Sequence, residues 1–122
     1  MCGIVGVFSE GPPVERRRLQ KALQSMRERG PDDQGEWWSE DGRVGLGHRR
    51  LAITQPLSGS QPVVSELCIV TVNGEFYGLD GEFDSVSDSW ALPTLYRRYG
   101  LSGALDRLRG EFAFLLFDQH QR

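Results

Sequence analysis

The residues able to do chemistry are few and lie far apart along the chain. Cys2 follows the initiating Met1 and precedes Gly3. Cys is small enough for an aminopeptidase to trim the methionine, which would leave a thiol and a free α-amine on one residue. An α-amine titrates near ~7.7–8.0, so at neutral pH it could take the thiol proton without a histidine. The plain alternative is a small residue at a frayed terminus. Asn73-Gly74 closes an apolar run, Cys68 to Val72. Such a pair is commonly a hairpin turn. It also offers a side-chain amide and a backbone N–H that can converge on one oxygen, as a tetrahedral oxyanion requires. Arg49-Arg50, beside Leu51-Ala52-Ile53, are either surface arginines or a fork for a carboxylate. Ser87-Asp88-Ser89 is either a helix N-cap or a carboxylate that could hold an ammonium.

Composition narrows the classes. Cys2 and Cys68 are the only two cysteines in 122 residues, too few for a disulfide framework, and each should be a free thiol in a reducing compartment. His48 and His120 are the only two histidines, and neither stands at metal-ligand spacing from a cysteine. No zinc site and no cofactor are expected. The net charge of -3 argues against nucleic acid or an anionic membrane as partner, since both need a concentrated basic face. Arg16-Arg17-Arg18 with Lys21 is interspersed with Glu15 and Gln20 and reads as a solvated helix face. No apolar stretch nears the ~18 residues that span a bilayer. The apolar N-terminus lacks a basic leader and falls short of the ~7–15 residues of a secretory signal, so a cytoplasmic location is expected.

The elements that must position these residues follow from periodicity. Hydrophobic residues at 39% and charged residues at 25% fit one globular domain over residues 1–122. Ile4 to Phe8 reads as a buried strand ended by Gly11-Pro12-Pro13. Leu19, Ala22, Leu23 and Met26 recur at helical spacing, predicting an amphipathic helix from about Val14 to Arg29, stopped by Gly30-Pro31. Val44 to Ile53 is a candidate strand interrupted by Gly45 and Gly47, and Cys68 to Val72 is a second. Leu95 to Tyr99 and Leu101 to Leu108 read as short helical segments, and Phe112 to Phe117 as a buried strand. The mixture predicts an α+β fold.

Taken together, the segments carry more than they do singly. MCGIVGVF at the start, RGPDDQG at 29–35, GLGHRRLAI at 45–53, VNGEFY at 72–77, SDS at 87–89 and GEFAFLLFD at 110–118 occur in one order. This combination resembles the glutamine amidotransferase domain of the asparagine synthetase family, the class with an N-terminal cysteine nucleophile. The resemblance implies an N-terminal-nucleophile hydrolase fold, an αββα sandwich. It also implies a glutaminase half-reaction in which Cys2 forms a glutamyl thioester, ammonia leaves, and water releases glutamate. On matching positions, Cys2 would be the nucleophile, and Asn73 and Gly74 the oxyanion hole. Arg50 would grip the α-carboxylate of L-glutamine, Asp88 its α-ammonium, and Leu51, Ala52, Ile53, Thr54 and Glu75 would line the pocket. Arg49 falls where the family tolerates other residues, and His48 has no catalytic part to play.

The sequence departs from the family pattern in three places. Trp90 stands where family members carry a glutamate, and Pro93 predicts a helix that begins later than Asp88. Gly78 to Val86 is short for the helix and turn expected there. The chain stops soon after Phe117, so the sandwich should be shortened, with C-terminal strands missing and the strand at Phe112 to Phe117 lacking a neighbour. Neither a Ser-Gly-Gly-type nor a Walker-type nucleotide loop is present. Any ammonia should therefore pass to a separate synthetase subunit, and that subunit or a second copy of the chain would cover the open edge. The competing expectations are an inactive relic or partner-binding module of the same fold, and an N-terminal-cysteine hydrolase acting on another amide.

Overall fold

The computed structural model describes residues 2–51, 60–77 and 88–121. In chain order its elements are β1 (Gly3–Phe8), α1 (Arg16–Ser25), β2 (Asp33–Trp38), β3 (Val44–Arg50), β4 (Val63–Val64), β5 (Cys68–Tyr77), α2 (Asp88–Arg107) and β6 (Arg109–Asp118). The class is α+β. Two three-stranded antiparallel sheets, ordered β1-β3-β2 and β4-β5-β6, carry the two helices.

Helix α1 covers the first sheet. Leu19 and Leu23 are fully buried, and Leu23 packs against Gly47 of β3, where any side chain would displace it. The helix is shorter than its apolar period suggests because both flanks are tied elsewhere. The N–H of Val14 donates to the Gly42 carbonyl at 3.0 Å, which holds that residue on the β2–β3 turn. After Ser25 the chain tightens into turns in which Arg29 and Gly30 donate to Met26 O. Strand β2 escapes the period-2 pattern because its side chains are largely polar and it lies at a sheet edge, where Gln34 and Glu36 face water. The glycines of β3 do not interrupt it; all seven residues are buried, and the five from Gly45 to Arg49 are paired on both sides.

Helix α2 covers the second sheet. Cys68, Val70, Val72 and Phe76 of β5 bury against Ala91, Leu92, Leu95, Ala104 and Leu108. The helix begins at Asp88 and runs through Pro93, so the later start expected from Pro93 is not what forms. At Gly100, φ 73° and ψ -176° break it, which separates the two helical segments read from the sequence. Trp90 lies 40% exposed on the outside of this helix rather than in the core. Strand β6 is not isolated. It pairs with β5 over all ten of its residues, from Arg109 to Asp118, and lies at the edge of its sheet among the described residues.

The two sheets touch through particular side chains. Trp37 of β2 meets Phe117 of β6 with ring centroids 5.7 Å apart, and His48 of β3 reaches the backbone of β5. Behind the second sheet, Tyr96 of α2 donates to Asp118 at the end of β6 at 2.5 Å. That bond is the main reason the phenol is pushed up to about 12, with burial and the carboxylate charge adding to it.

Candidate active site

Three segments meet at the end of β3. Gly30 lies directly on the backbone of Arg49 and Arg50, so close that a Cβ would collide with the Arg49 carbonyl. Pro31 bridges to Arg50, and the Asp32 N–H donates to Arg50 O at 3.0 Å. Arg29 does more than shape its own turn, because its Nε donates to the carbonyl of Cys2 at 3.4 Å. The RGPDD segment therefore ties the residue before β1 to the last residue of β3.

That tie fixes where Cys2 points. Gly3 stands opposite Arg49 in the β1–β3 register, so the strand alternation sets Cys2 across from Arg50 on the same face as His48. The sulfur of Cys2 accepts a hydrogen bond from the Leu51 N–H at 3.5 Å. Cys2 is half-buried and Arg50 buried. Arg49 takes the opposite face, where its Nη1 donates to Gln34 Oε1 on β2 at 2.5 Å. Among the sequence candidates, Cys2, Arg50 and Leu51 thus come together.

Asn73, Gly74 and Glu75 form a second group, and they are not a turn. Strand β5 runs straight through them, with Asn73 opposite Ala113, Gly74 opposite Phe112 and Glu75 opposite Glu111. Glycine is required at position 74. Its φ is 137°, and a Cβ would collide with the Glu111 carbonyl and lie 2.6 Å from Phe112 Cα. Because Val70, Val72 and Phe76 face α2, alternation turns Asn73 the other way, with the fully buried Ile69 and Thr71. That is the side from which His48 arrives.

His48 joins the two groups. It is 2% exposed, and its Nε2 lies 3.1 Å from Val72 O, one residue before Asn73. Burial lowers its pKa to about 4; the bond to Val72 and the Asp33 charge oppose the shift, while the Arg50 charge adds to it. The ring is therefore neutral at pH 7. A carbonyl can only accept, so Nε2 carries the hydrogen and donates.

Ala52, Ile53 and Thr54 lie outside the described residues, as does the segment 78–87. Asp88 opens α2, with its side chain outside them as well. Two residues at this joint carry no chemical pattern in the sequence: Gln61, whose Oε1 accepts the Val72 N–H, and Gly35, the cross-strand partner of His48. The period-2 spacing of His48 from Arg50 is the sequence signal of their shared face.

Comparison with known proteins decides the family. A model described as a glutamine amidotransferase domain matches residues 1–122, the whole chain. The chain belongs to the glutamine amidotransferase domain family. Among relatives of this amidotransferase domain, an asparagine synthetase [glutamine-hydrolyzing] of Zea mays is 37% identical, covering 100% of this chain and 22% of that protein. Asparagine synthetase [glutamine-hydrolyzing] 1 of Arabidopsis thaliana is 36% identical over 97% of the chain and 22% of its own length. An amidase, chry2, of Gibberella zeae is 41% identical over 85% of the chain and 17% of its own length. The chain thus spans about a fifth of the length of the relatives it matches. No helix among the described residues is long and apolar enough to cross a membrane.

Proposed function

We propose that this amidotransferase domain is a glutaminase that releases ammonia for a synthetase, with Cys2 as the nucleophile. The observation that carries the proposal is the Cys2 sulfur held under the Leu51 N–H beside Arg50, with His48 linking that corner to the strand bearing Asn73 and Gly74. Removal of Met1 frees the α-amine of Cys2, which takes the thiol proton. The sulfur then bonds the side-chain amide carbon of glutamine. The negative charge moves to the amide oxygen, where the Asn73 side-chain N–H and the Gly74 N–H hold it. The carbon–nitrogen bond breaks and the stored proton leaves with ammonia. Water then adds to the thioester, glutamate departs, and the thiol is restored.

In this reading Arg50 pairs with the substrate α-carboxylate and Asp88 with its α-ammonium. Leu51, Ala52, Ile53, Thr54 and Glu75 line the pocket. Each charged contact contributes about 1.5–3 kcal/mol. The layers α1, first sheet, second sheet and α2 support an αββα sandwich of the N-terminal-nucleophile hydrolase type. The acceptor of the ammonia is a synthetase, in line with the name of the maize relative, and the site of action is cytoplasmic.

The test is glutamate release from L-glutamine by the full chain and by its Cys2→Ala variant. The wild type should turn over, and the variant should fall by ~10³-fold or more, as loss of a catalytic nucleophile does. Equal release by both would remove Cys2 from the mechanism. Release by neither would favour a non-catalytic module.

A further inference from the structure

We infer that His48 and Gln61 are positioning residues that clamp β5 and aim its Gly74 N–H, a role that rests on the glutaminase reading above. The clamp acts on the β4 side of β5. On that side the Ser65 N–H donates to Cys68 O at 3.0 Å, and Val63 stands opposite Val70. In an antiparallel pair, every second residue turns its N–H and C=O toward the same neighbour. Cys68, Val70, Val72 and Gly74 therefore form one row along the β4 side. Strand β4 consists of Val63 and Val64 alone, so backbone pairing ends before Val72.

Side chains take over at Val72. The same register would set Gln61 opposite it, and the Gln61 Oε1 accepts the Val72 N–H at 2.6 Å. The Val72 carbonyl is taken by His48 Nε2 at 3.1 Å. Both polar groups of that residue are thus saturated from outside the strand, by two different segments. The Val72 carbonyl belongs to the same rigid peptide plane as the Asn73 N–H, so fixing one fixes the other. The next group in the row is the Gly74 N–H, on the edge where β4 has ended.

The clamp has a built foundation. Gly35 is the cross-strand partner of His48, and a Cβ at Gly35 would collide with the Gln61 carbonyl oxygen. The missing side chain is what lets Gln61 lie beside His48. Burial keeps His48 neutral, so it remains a single-tautomer donor across the physiological range. Neither residue touches substrate; both act through the backbone of β5. An oxyanion donor is effective only when its position is fixed in advance, and a misplacement of ~1 Å can cost about 100-fold.

The test compares the full wild-type chain with His48→Leu, His48→Gln, Gln61→Leu and Gln61→Glu. The His48→Gln side chain can offer an N–H near the place of Nε2, and Gln61→Glu retains the acceptor. The readouts are kcat and KM for glutamine, and inhibition by the γ-aldehyde of glutamate. The thiol adds across that aldehyde, with sulfur bonding carbon and the thiol proton ending on oxygen, and the product mimics the tetrahedral intermediate. Both leucine variants should lose about 10- to 100-fold in kcat with KM within about twofold. The aldehyde Ki should rise by the same factor, and His48→Gln and Gln61→Glu should recover most of both. If His48→Leu does not fold, Gln61→Leu, at a half-buried site, carries the comparison. Folded leucine variants with wild-type kcat and aldehyde Ki, or with the loss confined to KM, would overturn the inference. A wild type that binds no aldehyde and releases no glutamate would instead overturn the glutaminase reading on which it stands.

Discussion

At the scale of single residues, the proposed positioning role and stability meet at His48. Free in an unfolded chain it titrates at the usual 6.5, whereas in the fold it stays neutral down to about 4. Between those values the unfolded chain binds the extra proton, so stability rises with pH across that window. The contribution is complete above pH 6.5 and is lost as pH falls toward 4, about 3 kcal/mol in all. Urea unfolding at pH 7.5 and pH 4.5 should therefore show a larger acid loss in wild type than in His48→Gln, which has no ring to protonate. An identical acid loss in both would mean that His48 titrates normally. The nucleophile proposed at Cys2 was one of two alternatives in the sequence, because a small residue after Met1 carries no further signal by itself. Its partners were not legible. The bond from Arg29 to the Cys2 carbonyl and the bond from the Leu51 N–H to its sulfur join residues far apart in the chain. Only the fold brings them together.

At the scale of elements, the clearest difference between expectation and structure is Asn73-Gly74. The dipeptide is a strong local signal for a hairpin, yet β5 and β6 pair without a break on both sides of it. Tertiary pairing overrides the local preference, and the glycine serves close approach and a positive φ instead. Gly110, with φ 155°, meets the Glu75 carbonyl in the same way from the other strand. Gly74→Ala should therefore destabilise the domain by ~2 kcal/mol or more, measured as the shift in urea midpoint, and should abolish glutamine turnover. A neutral substitution would show that the strands separate at this point. Helix α1 and strand β1 were readable because one is amphipathic and the other largely apolar, and β3 was readable only from its Val44 and Leu46 start. Strands β2 and β4 were not, since a polar edge strand and a strand of two residues leave no period to detect. Helix α2 contains Pro93 early in its course and still forms, with Ala91, Leu92 and Leu95 burying on both sides of the proline. Burial of that face outweighs the local cost.

At the scale of the whole molecule, the organisation is two sheets that each present one segment of the proposed site. The first brings Cys2 and Arg50 to the end of β3, and the second carries Asn73 and Gly74 along β5. The order of motifs in the sequence made this family legible before any coordinates, and the family model covers all 122 residues. What the sequence could not supply was the joint between the sheets. The His48–Val72 bond, the Gln61–Val72 bond and the Trp37–Phe117 contact unite segments well separated along the chain, which no local pattern encodes. The proposed glutaminase requires a processed Cys2 that stands as a nucleophile in an assembled glutamine site. The most direct measurement is the intact mass of the full chain before and after incubation with an electrophilic glutamine analogue. Loss of the Met1 mass and a single adduct that maps to Cys2 are the expected result. A retained Met1, or a processed Cys2 that stays unlabelled while Cys68 or no residue reacts, would contradict it.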